Sequence, residues 1–289
     1  MRAHVLLIAG LLVVALLGCS DDTKSGAGGD GDTDADTDAD TDGDTDTDSD
    51  SDGDSWSPPL GIPEPEFGIH ELAPTMPDPW DEALEGGYYV DNTHAAATDV
   101  DNTYGTPSLP RETIPTDLSA GAVVYVTGGP YVDVSLSFVA DGALEAPIFV
   151  TAVEPDSPPE IIGDISLSGS YLILEHFEVS GPSSGIRVQT PSDHIAVRLS
   201  ELHGAQGGGS SLYTGRWNPE DDPAMAEHIV FFANSVHDNG DVEAEFDEDH
   251  HGIALGHHAA HVWILDNEMY LNSGDGLQVN AKKAYLMET

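Results

Sequence analysis

Seven carboxylates, Asp238, Asp241, Glu243, Glu245, Asp247, Glu248 and Asp249, crowd into twelve residues between His237 and the His250-His251 pair. Carboxylates this dense repel one another unless they are solvated or neutralised. Donor sets made only of oxygen select a hard cation, so Asp238, Asp241, Glu243 and Asp249 are candidate Ca²⁺ ligands. A solvated acidic loop is the alternative reading of the same run. His237 follows the inward-facing Val236, so its ring should project from a turn beside this loop, where an imidazole can serve as general base. Two cations complete the set. Arg187 and Arg198 each alternate with apolar neighbours and should point outward from strands, as carboxylate-holding groups or as solvated surface residues. A further insertion, Tyr213 to Glu227, carries Trp217 with two prolines and more acid. Trp217 is the candidate aromatic contact for a ligand. Lys282 and Lys283 are the only lysines beyond residue 86, so the folded region is poor in amine bases.

The elements that must position these residues are legible as an internal repeat. Four segments align, led by Tyr171, His194, His228 and His261. In each, the first and third residues after the lead are apolar: Leu172 and Leu174, Ile195 and Val197, Ile229 and Phe231, Val262 and Ile264. The eighth is apolar again: Val179, Leu202, Val236 and Met269. Gly-headed strands follow in three of them, at Gly185, Gly252 and Gly276. Strands of period two on a repeat of about 23 residues describe a chain that makes two or three strands per turn and then stacks on itself. Rungs about 4.8 Å apart place each inward side chain on its equivalent. The expected fold is therefore all-β, a right-handed parallel β-helix, with Ile195, Ile229 and Val262 in one inward column and Val197, Phe231 and Ile264 in another.

Asn234 and Asn267 share the sixth position after the lead, above Ser200, and should form a hydrogen-bonded ladder in a turn. His194, His228 and His261 form a column at the lead. Imidazoles about 5 Å apart suit Zn²⁺ on paper, but Tyr171 holds the same place one rung earlier, so a stacked turn ladder is the expected reading. Two repeat intervals are 34 and 33 residues rather than 23, and their extra residues fall in turns, which can grow outward and build a site.

Tyr88-Tyr89-Val90-Asp91, Gly105-Thr106-Pro107 and Pro110-Arg111-Glu112-Thr113-Ile114 resemble the N-terminal lead-in of bacterial pectate-lyase-like β-helix proteins. His237-Asp238-Asn239-Gly240 and Ser273-Gly274-Asp275-Gly276-Leu277 resemble their repeat turns. The resemblance covers about residues 86–279. It implies a polysaccharide lyase or glycoside hydrolase acting on acidic polysaccharide with Ca²⁺, with His237 and Arg198 as catalytic candidates and Arg187 and Trp217 as substrate contacts. A lyase needs a base for the proton α to a carboxylate and a cation to hold the developing charge. The same fold also serves non-catalytic glycan-binding or structural modules, and a truncated, inactive remnant is a further alternative. Tyr285-Leu286 starts the next repeat only a few residues before the end, so the 86–289 domain reads as truncated at its C-terminus.

Ahead of this domain the chain is of another kind. Asp occupies every even position from Asp30 to Asp54, separated by Thr, Ser, Ala or Gly. With no large apolar residue and one charge per two residues, residues 19–57 read as an extended, disordered tether. Asp38–Gly43 and Asp48–Gly53 match the first half of an EF-hand loop, but the closing Glu is absent. The formal net charge of −45 argues against nucleic acid and against adhesion to anionic lipid. Seven prolines between Pro58 and Pro79 make residues 58–85 read as a stiff spacer.

At the N-terminus, Val5 to Leu17 is entirely apolar or Gly, yet thirteen residues reach only about 20 Å, too short to span a bilayer. It reads as an export signal, residues 1–18. Leu16-Leu17-Gly18-Cys19 resembles the bacterial lipobox, which implies lipidation of Cys19 and attachment to a lipid bilayer, with Ser20 after it favouring the outer membrane. Cys19 is the only cysteine, so no disulfide can form within the chain. A monomer is expected.

Overall fold

The computed structural model describes residues 61, 63–206, 209–216, 224–241 and 250–280. Among them there is no helix. Fifteen strands join in one sheet of parallel pairings that curls round on itself, an arrangement compatible with a β-helix solenoid.

Each turn of chain contributes to three faces. The first face runs through Gly87–Asp91, Val123–Thr127 and Ile148–Ala152. It continues through the ends of Glu160–Glu175 and Glu178–Arg198, then Ala226–Phe232 and Ala259–Leu265. The second is shorter and includes Glu201–His203, Ser235–His237 and Glu268–Tyr270. The third stacks residues 164–167, 185–188, 212–214, 253–255 and 277–279. The register pairs Leu172, Ile195, Ile229 and Val262 in succession, and likewise Leu174, Val197, Phe231 and Ile264. These columns are those expected from the repeat. Their residues fill the main core, together with Ile165, Ile186, Leu212 and Ile253 from the third face.

Three corners per turn carry the chain from face to face, and the backbone there is left-handed at residues that are not glycine. The lead residues Tyr171, His194, His228 and His261 have φ of 50°, 55°, 53° and 51°; five residues on, His176, Leu199, Ala233 and Asp266 have 60°, 51°, 52° and 52°. For an L-residue this costs on the order of 1 kcal/mol or more. Stacking offsets it along the first corner, where the rings of Tyr171, His194, His228 and His261 lie 4.5, 4.5 and 4.9 Å apart between centroids. Side-chain ladders do so at the others. Asn234 Nδ2 donates to Asn267 Oδ1 at 2.9 Å and to the Val197 carbonyl at 2.9 Å, while its own Oδ1 accepts from Ser200 N at 3.2 Å. Asn239 and Asn272 repeat the device, linked at 2.8 Å.

Within the Pro-rich 58–85 segment, residues 63–80 lie along the outer side of the first face as a strap, from Trp263, whose Nε1 donates to the Pro63 carbonyl at 3.0 Å, back to Trp80 against Tyr89 and Tyr125. The reason is compositional. The outward column of the first face, Val123, Phe149, Ile173, Ala196 and Val230, is itself apolar, so this face needs cover on both sides. Phe67, Ile69 and Trp80 supply it and join those residues in a second core. The prolines lower the entropic cost of ordering the strap. Arg198 locks it. Its guanidinium pairs with Glu175 at 2.6–2.7 Å and donates to the carbonyls of Gly68, Ile69 and Glu71 at 3.1, 2.8 and 2.6 Å.

Candidate functional site

The outward positions of the third face are polar, and they line a groove. Ser166, Arg187, Tyr213, Ala254 and Gln278 are successive partners in the register, four rung steps or about 19 Å along the axis. Ala254 breaks the row of longer side chains. Two cavities of about 620 and 350 Å³ lie here and share Arg187, Gln189, Ser210 and Tyr213 as walls. Arg216 and His251 close the larger one.

Arg187 is held over the Tyr213 ring, its guanidinium carbon 5.5 Å from the centroid, and among the described residues no carboxylate forms an ion pair with it. Burial pushes the Tyr213 hydroxyl up to about 12, with the Arg187 charge working in the opposite direction. The phenol therefore stays protonated at neutral pH. Tyr213 reaches toward Gly256, where a Cβ would come within 2.1 Å of its hydroxyl, so that glycine is required for the ring to lie as it does. Arg216 is fixed by its Nε donating to Thr190 Oγ1. His251 Nδ1 accepts from the Asp275 backbone N–H at 3.0 Å, which assigns the ring proton to Nε2. His250 is buried and bonded through Nε2 to Ser211 Oγ at 3.0 Å, a structural contact.

Among the described residues, the groove thus offers planar cations, amides, hydroxyls and the His251 ring, with the exposed carboxylate of Asp164 in the wall of the smaller cavity. Such a set holds anions through bidentate and single hydrogen bonds.

The residues singled out from sequence do not converge. Arg187 lines the groove. Arg198 does project outward from its strand, but onto Glu175 and the strap, and it is 4% exposed; a role in holding a solvent-borne carboxylate does not fit that position. His237 lies on the second face, stacked between His203 and Tyr270 at 5.5 and 4.6 Å. Its Nε2 meets Glu201 Oε1 and its Nδ1 meets Asp238 Oδ2, both at 2.9 Å, so neither nitrogen is left to act as a base. Asp238 is spent in that contact, and Asp241 is exposed at the start of the acidic insertion. Trp217, Glu243, Asp249 and Cys19 lie outside the described residues, as does the 19–57 tether. Tyr213, Gln189, Arg216 and His251 were not grouped by sequence reasoning. The signal available was that Arg187 and Gln278 hold the same outward place in their Gly-headed strands; Gly209–Thr214 is a further such strand, hidden by the insertion after it.

Comparison of the chain with protein-family models, with curated proteins and with solved structures finds no match to any of them.

Proposed function

We propose that this chain is a lipid-anchored surface protein whose right-handed, pectate-lyase-like β-helix holds an acidic polysaccharide along its third face. One observation carries the reading: in a chain with a net charge of −45, Arg187 and Arg216 meet in a single long groove, beside an aromatic ring and amides. A groove running along the axis suits a polymer, and its cations suit carboxylate or sulfate substituents.

Binding is favoured over cleavage because the walls of the larger cavity are cations and donors, and the carboxylate of Asp164 lies only in the smaller one, open to solvent. Ca²⁺ enters as a bridging ion. The insertion carrying Glu243 and Asp249 precedes the groove residue His251 in sequence, and an anionic polymer bound beside carboxylates needs a dication between them. The Cys19 lipid and the acidic tether would hold the domain away from the membrane.

The purified domain, presented with polygalacturonate, alginate, chondroitin sulfate and neutral dextran, with and without Ca²⁺, tests this directly. At least one acidic glycan should bind and dextran should not. Arg187→Ala should weaken binding about tenfold, the loss of one charge-assisted contact. Unsaturated product absorbing in the ultraviolet would establish lyase activity instead. Equal binding of dextran, or no effect of Arg187→Ala, would sink the reading.

A further inference from the structure

We infer that Asp193, His194 and His228, at the first corner of the solenoid, form a binding site for a transition-metal dication, with Zn²⁺ the ion their donor set selects.

Asp193 Oδ1 lies 2.7 Å from His228 Nδ1 and 3.0 Å from His194 Nδ1, and the three donor atoms all fall within 4.8 Å of one another. A tetrahedral ion with bonds of about 2.0–2.1 Å needs donors about 3.3 Å apart, so the two Asp193 contacts must lengthen by a few tenths of an ångström and the two stacked rings must tilt until their Nδ1 atoms stand that far apart. Ring stacking explains the column of imidazoles but does not explain the carboxylate. The rung neighbours of Asp193 are Ser170, Glu227 and, one rung further, Ala260, and among the described residues only at this level does a carboxylate oxygen meet two ring nitrogens.

A hydrogen bond accounts for one of the two contacts and leaves the other unexplained. His228 Nδ1 bonds to Asp193. His194 Nδ1 is buried, is not aligned for a hydrogen bond to the same oxygen, and has no other hydrogen-bond partner. A ring nitrogen held dry and aimed at a carboxylate is a ligand awaiting an ion.

The scaffold is rigid. Asp193 and His194 lie at a corner within Glu178–Arg198, His228 sits in the next rung within Ala226–Phe232, and both histidines are pinned by stacking with Tyr171 below and His261 above. A cavity of about 240 Å³ between the strap and the column is lined by His194, His228, Glu64 and Glu66, leaving room for water or another oxygen donor at a fourth position. Two imidazoles and one carboxylate form a borderline set that favours Zn²⁺ over Ca²⁺, which takes oxygen alone. The site is separate from the groove and does not depend on the polysaccharide reading.

Titration of the full-length chain with Zn²⁺ against a chromophoric chelator, in millimolar Ca²⁺ to saturate the acidic tether, tests the site. One Zn²⁺ per chain should bind with a dissociation constant of about 1 µM or tighter, and Co²⁺ should give the intense visible band of a tetrahedral site. His228→Ala and Asp193→Ala should each weaken Zn²⁺ by at least about 30-fold, whereas His203→Ala should leave it unchanged. Absence of the Co²⁺ band in the unaltered chain overturns the proposal whatever the variants do. So does Zn²⁺ affinity that survives both substitutions in protein shown by circular dichroism to be folded.

Discussion

Replacing Arg198 with methionine should strip the strap from the first face. Arg198 and Glu175 are each 4% exposed, and the guanidinium serves the carboxylate and three strap carbonyls. Methionine restores most of the apolar volume of the stem, so the loss is that of the charge. Glu175 is left buried without its partner, a change that costs about 3–5 kcal/mol. The carbonyls of Gly68, Ile69 and Glu71 lose their donor and regain water only if the strap lifts. For a folded unit of about 200 residues, that free energy lowers the melting temperature by about 6–20 °C. Thermal melts followed by circular dichroism, with limited proteolysis of residues 63–80 as a local readout, measure both consequences. Arg198→Met/Glu175→Leu is the decisive control. With no stranded charge it should recover at least half of the loss while leaving the strap protease-sensitive. A single variant within 1 kcal/mol of the parent (about the spread of a surface change), or a double variant no better than the single, refutes this account.

Asn234→Ala removes two donated bonds and one accepted bond at a side chain 1% exposed, and should cost about 2–4 kcal/mol in urea denaturation; a cost below 0.5 kcal/mol, the level of an ordinary surface change, would show that the ladder is incidental. Acid should destabilise the fold in two steps. His176 is held below the usual histidine value, first by burial and then by Arg198, against the pull of Glu175. The unfolded chain therefore takes up this proton more readily, and stability should fall as pH drops below about 6.5. Asp193 is held below the usual carboxylate value: burial acts to raise it, but the imidazoles of His228 and His194 outweigh burial. Its contribution is complete above about pH 4 and is lost as pH falls through the folded value. His176→Asn, which tolerates the left-handed backbone, should flatten the upper step of the urea midpoint; parallel curves would exclude the residue as its source. Cys19→Ala should release the protein from membranes or leave it unprocessed, and continued membrane association at the same mature size would defeat the lipobox reading.

The third-face groove shows why legibility stops where it does. Arg187 was readable as outward because alternation is a local property of one strand. That Tyr213 lies beside it, and that His251 closes the same cavity, depends on register across insertions of unequal length. No local pattern reports how many residues a turn has absorbed. Arg198 makes the complementary point: alternation placed it outside the core correctly, but whether outside meant solvent depended on a segment about 130 residues earlier in the chain. The near-continuous apolar runs at Ile173 and Val230 were the available sign that this face is covered twice.

What the residues determined by themselves is an all-β chain of stacked parallel strands and its columns. Period-two alternation and the recurrence of Tyr171, His194, His228 and His261 leave one register that buries every apolar position at once, so Ile195, Ile229 and Val262 stack as the repeat requires. The Asn ladder follows from the same recurrence. What only the tertiary structure decided is where the polar groups ended up. The strap closed over Arg198, Glu201 and Asp238 claimed both nitrogens of His237, and Asp193 came to lie between two imidazoles. Apolar burial is additive and periodic, so it can be read along the chain. The fate of a charge depends on which distant group arrives within about 3 Å of it, and that is a property of the folded molecule alone.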